Sequence, residues 1–127
     1  MSDIGAFAAG ALSGVRILDL ARVVAGPYAS SICADMGAEV IKVESPDGDQ
    51  VRLIAPKPDL GMSAFFQWVN AGKRGLSIDL RKPEGIEVVL ELIRHCDAVI
   101  ENFRPGVLDR LGLSWEEIQR VNPKTIL

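Results

Sequence analysis

The 127-residue sequence predicts an α/β fold, a mostly parallel open sheet with helices on both faces. Three observations predict it. Val15–Leu20 is a short run of branched apolar residues behind Gly14, the pattern of a buried strand. A helix and a second strand, Glu39–Glu44, follow within about thirty residues, which makes a βαβ unit with parallel strands and a right-handed crossover. Farther on, a helix with one apolar face separates two more strand-like runs.

Residues 1–13 are small and weakly apolar, without a basic start or a long apolar core. They make a poor signal peptide and read as a flexible tail, with the folded part over 14–127. Gly26-Pro27 opens the first helix, since the missing proline N–H is harmless in a first turn. That helix runs over Tyr28–Met36 and stops at Gly37, suited to a left-handed cap. Residues 45–61 contain Pro46, Pro56 and Pro58 and show no periodicity, so they read as a long functional loop.

A short apolar helix follows over Ser63–Val69, and Leu76–Leu80 alternates as a strand does. Pro83-Glu84 starts the clearest helix, with Ile86, Val89, Leu90 and Ile93 on one face. Ala98–Ile100 is another buried strand. Pro105–Leu111 and Trp115–Val121 read as short helices, Ser114 capping the second with Glu117 three residues on. Lys124–Leu127 begins a further strand, so the sheet is expected to be incomplete at its C-terminal side, with exposed edges, as in a truncated domain.

A net charge of −3 argues against a broad phosphate-neutralising surface, so nucleic acid is not an expected partner. No apolar run approaches the ~18–20 residues that span a bilayer, so no membrane is expected either. Cys33 and Cys96 lie far apart without a CxxC, and His95 is the only histidine, which leaves too few soft ligands for a zinc site. Both cysteines read as small buried groups in helices, and the reducing cytoplasm is the expected compartment.

Open α/β sheets bind ligands at the carboxyl ends of their strands. The loops leaving those ends, 21–26, 45–62, 81–83 and 101–106, carry Arg22, Arg52, Arg81, Lys82 and Arg104, with Lys73, Arg74 and Arg110 close in sequence. Helix starts at Pro27, Pro83 and Pro105 add exposed N–H groups and positive dipole ends. That set suits an anionic, phosphate-bearing ligand, although the same residues could simply solvate their loops. Neither G-x-G-x-x-G nor G-x-x-x-x-G-K-[ST] occurs, and a dinucleotide reading can cite only Glu44 after the second strand. Asp19, Asp35 and Asp79 read as structural or solvated acids, and His95 as a surface residue at a helix end. Trp68 and Trp115 read as core or partner-facing, while Glu101 begins the most distinctive motif.

Six ordered segments go further: Gly14–Leu20, Val24–Tyr28, Asp35–Glu44, Asn70–Arg74, Asp79–Gly85 and Glu101–Gly112. Together they resemble family III CoA-transferases, which include formyl-CoA transferase, carnitine CoA-transferase and the isomerase α-methylacyl-CoA racemase. The resemblance covers residues 13–127. It implies the Rossmann-like N-terminal part of a longer chain, an interlocked homodimer, coenzyme A or acyl-CoA as ligand, and a carboxylic acid as second substrate.

Carried over by motif, the CoA contacts fall on Val24 and Ala25, on Ser45, on Ile78, Asp79, Leu80 and Arg81, on Asn102, Phe103 and Arg104, and on Arg110. The resemblance gives Arg81, Arg104 and Arg110 to the phosphates, Asn102 to orientation and Phe103 to the adenine. Val24 and Ser45 stand where formyl-CoA transferases have a glutamine-like and a basic contact, which argues against that subgroup.

Transferases of the family attack the thioester with an aspartate, which divides one hard exchange into easier covalent steps. That aspartate lies downstream of the segment matching Glu101–Gly112, and racemases use a later histidine and aspartate. No position here matches either, so no catalytic residue is expected, and this chain alone is expected to be inactive. A racemase-like isomerase and a non-catalytic CoA-binding or dimerising module are the rival readings.

Overall fold

The computed structural model describes residues 10–54 and 62–127. Strands β1 (Arg16–Asp19), β2 (Glu39–Glu44), β3 (Arg74–Ser77) and β4 (Ala98–Ile100) form one parallel sheet in the order β3-β2-β1-β4. Five helices complete the described fold: α1 (Ala25–Asp35), α2 (Ala64–Val69), α3 (Pro83–Ile93), α4 (Val107–Leu111) and α5 (Trp115–Val121). The chain winds outward from β1 to β3, then returns to set β4 on the other side of β1. This is the Rossmann-like order, and its reversal between β1 and β4 is where such sheets take ligands. Ile126 bridges Ala98 in parallel, so residues 124–127 run beside β4.

Two apolar clusters cover the two faces. Ile17, Ala38 and Val40 meet Cys33 and Ala34 of α1 on one side. Leu18, Leu20, Val43 and Val99 meet Val89 and Ile93 of α3 and Ile118 of α5 on the other. Central strands of a parallel sheet are buried on both faces, which is why Ile17 and Leu18 are consecutive apolar residues rather than alternating with polar ones.

Helix α1 begins at Ala25, earlier than Gly26-Pro27 alone suggests, and Pro27 stays within the first turn where its missing N–H is tolerated. It ends in a Schellman turn: Gly37, at φ +98°, donates to Ala34 O at 2.9 Å, and Ala38 donates to Cys33 O at 3.0 Å. The stretch before β1 is tied to this helix end, Leu12 donating to Met36 O at 2.9 Å. Residues 1–9 of the expected tail, and residues 55–61 of the expected long loop, lie outside the described residues. The first part of that loop closes into a 3₁₀ turn, Gln50–Leu53, capped by Asp49.

Three expectations need correction. Strand β3 covers Arg74–Ser77 rather than Leu76–Leu80. Ile78 adds one last ladder bond to Glu44 O at 2.8 Å, and the Asp79 side chain then accepts the Arg81 amide at 3.1 Å, turning the chain away. Helix α4 begins at Val107, because Gly106 at φ +78° intervenes after Pro105. Cys96 is buried in the turn after α3 rather than within a helix, and both cysteines are free thiols.

Candidate functional site

Every strand of the parallel sheet points its carboxyl end at the same edge, and the four loops leaving it converge there. The loop after β1 is held from several sides. Asp19, fully buried, accepts the Ala21 N–H at 2.9 Å, and Lys42 Nζ donates to Ala21 O at 2.9 Å. Asn102, in the loop after β4, takes both sides of Arg22: Oδ1 accepts its N–H at 2.8 Å and Nδ2 donates to its carbonyl at 2.7 Å. This pair ties the loops after β1 and β4 together at the point where the strand order reverses. Gly26 lets α1 start against the same loop, since a Cβ there would lie 2.2 Å from the Ala21 Cβ.

Beneath the loop lies a buried polar scaffold. Asp19 also accepts Ser30 Oγ at 2.6 Å and Lys73 Nζ at 2.9 Å. Lys73 completes its donors with Pro27 O at 2.7 Å and Asn70 Oδ1 at 2.9 Å. Burial lowers the Lys73 pKa, and the Asp19 carboxylate works against that fall. Arg52 grips Glu44 with two hydrogen bonds, at 2.8 and 2.7 Å, and stacks 3.7 Å over the Phe66 ring.

Two clefts open on this edge. One, of about 400 Å³, is lined by Glu44–Gly48, Arg52 and Gly75–Ser77. The other, of about 460 Å³, lies between the loop after β3, the start of α3 and the end of α4. Arg81, Lys82 and Arg110 put three cations on its wall, beside Leu80, Ile86 and Leu111. Gly85 makes that wall close, since a Cβ there would meet Asp79 O at 2.3 Å.

The remaining site expectations fall in different places. Arg81 is engaged by Asp79, Nε to Oδ1 at 2.8 Å and Nη2 to Oδ2 at 3.1 Å, and this grip holds the Asp79 carboxyl below its ordinary range. Arg104 is exposed and outside both clefts, and no ion pair involves it among the described residues. Ile78, Leu80 and Phe103 pack partly against the core, and Ser45 lines the smaller cleft. Val24 and Ala25 are exposed at the start of α1. Glu101 caps its own loop by accepting the Phe103 N–H at 2.8 Å. Trp68 is surface-exposed against Tyr28 rather than core, with ring centroids 5.1 Å apart, and Trp115 is likewise exposed.

Residues 12–127 match the family described as CoA-transferase family III. The chain belongs to that family. Formyl-CoA:oxalate CoA-transferases from Afipia carboxidovorans and Bradyrhizobium diazoefficiens are each 48% identical to it, over 92% of this chain. The chain spans 28% of the length of these relatives. Among solved structures, a CAIB/BAIF family protein from Brucella suis matches with a TM-score of 0.84 and 42% identity, covering 89% of this chain and 31% of that one. Rv3272 from Mycobacterium tuberculosis matches at 0.86 and 39%, covering 93% and 32%. Val24 and Ser45 argued against the formyl-CoA subgroup, yet relatives bearing that name are highly similar, so two positions do not separate the family III chain from it.

Sequence reasoning missed Lys42, Asp49 and the role of Lys73. Lys42 was legible in principle: a lysine inside the apolar run Val40–Val43 of a central parallel strand requires a buried acid. By sequence Lys73 falls with the cations near the strand-end loops, and the structure places it on Asp19, 54 residues away. No helix among the described residues is long and apolar enough to cross a membrane, and no group of three metal-ligating side chains forms among them.

Proposed function

We propose that this chain forms the coenzyme-A-holding part of an acyl-CoA:carboxylate CoA-transferase, which as a complete cytoplasmic, interlocked homodimer moves CoA from an acyl-CoA to a carboxylic acid. The observation that carries the reading is the 460 Å³ cleft at the strand ends, with Arg81, Lys82 and Arg110 beside apolar Leu80, Ile86 and Leu111, in a chain of this family. Guanidinium groups match phosphate geometry, and the apolar wall takes the neutral parts of the ligand. Arg104, exposed on the neighbouring loop outside this cleft, is the third guanidinium for the phosphates after Arg81 and Arg110, and Asn102, Phe103, Ser45, Ile78–Leu80 and Val24-Ala25 border the path of the cofactor.

The reading assigns no nucleophile to this chain. Asp19 is fully buried and accepts three donors, and Asp79 is held by Arg81, so neither carboxylate is free to attack a thioester. The family resemblance implies an attacking aspartate downstream of the segment matching Glu101–Gly112, which no position here matches, and on this reading the chain alone is inactive.

Calorimetric titration of the protein carrying this chain with CoA tests the site. Arg104→Ala should weaken binding about ten- to a hundredfold, the worth of one hydrogen bond to a charged group. Unchanged affinity would remove Arg104 from the site, and absence of CoA binding in the wild type would end the reading. Solvent deuterium appearing at the substrate α-carbon would mark an isomerase instead.

A further inference from the structure

We infer that Asp49 is a positioning residue for the loop after β1, acting through the backbone of Val23; the inference rests on the proposal that this loop faces CoA. Val23 is the one non-glycine residue among the described positions with positive φ, at +71°. A β-branched side chain rarely adopts that conformation, and it persists only where the surroundings over-determine it. Asp49 supplies the constraint at the residue itself. Its carboxylate accepts the Val23 N–H at 3.1 Å while accepting Val51 N–H at 3.2 Å as cap of the 3₁₀ turn. Lys42 Nζ, 3.4 Å away and itself buried, fixes the carboxylate and at the same time holds Ala21 O.

The chain of contacts has a direction. Asp49 is buried and lines neither cleft, so it does not meet the ligand directly. Asn102 already fixes Arg22 from the β4 side, which leaves Val23 as the joint between the clamped loop and the start of α1 at Ala25. A loop whose competent form is only fractionally populated binds more weakly by that fraction. Asp49 therefore sets CoA affinity by keeping Val23 in its strained form before the ligand arrives.

The test combines a strain-relieving substitution with two readouts. Asp49→Asn keeps the shape but loses the negative acceptor, and should weaken CoA binding about tenfold, equal to about 1.4 kcal/mol. It should also raise amide exchange over residues 21–24. Glycine adopts positive φ freely, so adding Val23→Gly to Asp49→Asn should recover most of the affinity. A purely structural Asp49 would give no such rescue, and equal affinities for Asp49→Asn with and without Val23→Gly would overturn the inference. In the wild type the Val23 amide should exchange as slowly as those of β1, a measurement that needs no variant. Rapid exchange there would also overturn it. Slow exchange in a protein that binds no CoA would leave the positioning intact and overturn only the ligand.

Discussion

Asp19→Ala is the substitution that probes most of the structure at once. The carboxylate is fully buried and holds Lys73, Ser30 and the Ala21 N–H, so alanine leaves a buried ammonium without its anion and a loop N–H without an acceptor. Breaking a buried pair from one side costs about 3–5 kcal/mol, and Pro27 O and Asn70 Oδ1 remain on Lys73 to keep the loss from exceeding that range. Urea denaturation followed by circular dichroism measures it. Adding Lys73→Met should return part of the loss, because a pair removed together leaves no lone charge.

The pH dependence carries the same signature. Burial lowers the Lys73 pKa below its unfolded value of 10.5, so the unfolded chain holds the proton longer. Stability from this group is therefore complete above pH 10.5 and is lost as pH falls through the lowered folded pKa. Without Asp19 that fall moves to lower pH. A loss below about 1 kcal/mol, or a double variant that costs the sum of the singles, would refute the account of a coupled buried pair.

Two further outcomes follow from burial and close contact. Burial pushes the Cys96 thiol up to about 11 from 9.0, so the folded state keeps a proton that the unfolded chain gives up first. Stability from Cys96 is full below pH 9 and declines by about 2 kcal/mol by pH 11, a slope that Cys96→Ala should abolish in parallel urea titrations. Gly85→Ala would place a Cβ 2.3 Å from Asp79 O, which forces α3 and the β3 loop apart. It should cost about 1–3 kcal/mol and weaken CoA binding in the same protein, whereas wild-type stability and affinity would contradict the close approach.

The α/β fold was legible because hydrophobic periodicity records burial directly: apolar runs at β1, β2 and β4, and one apolar face on α3. Strand β3 shows where that signal fails. Leu76, Ile78 and Leu80 alternate whether or not the ladder continues, since Ile78 and Leu80 still pack on the core after the chain has turned. The turn comes from the Asp79 side chain, a local hydrogen bond that periodicity does not contain. Without the family resemblance, the candidate site was legible only as a set of loops at one edge. Which cation serves the ligand and which serves the scaffold depends on partners such as Lys73 and Asp19, and contacts across that much chain leave no trace in spacing.

The cations at the strand-end edge divide by whether an acid already holds them. Lys42 and Lys73 are buried on acids, Arg52 is bound to Glu44, and Arg81 is bound to Asp79. Among the described residues Arg22, Lys82, Arg104 and Arg110 enter no ion pair, so the positive field at this edge comes chiefly from them. Arg81 is the intermediate case, because its pair is exposed and a phosphate would compete with Asp79 for the same guanidinium. Asp79→Asn should therefore strengthen CoA binding, by up to about fivefold, the most that an exposed pair is usually worth. Arg110→Ala should weaken it more than Arg81→Ala does. Calorimetric titration of the three variants gives the order, and weaker binding by Asp79→Asn would mean that Asp79 itself holds the ligand rather than restraining Arg81.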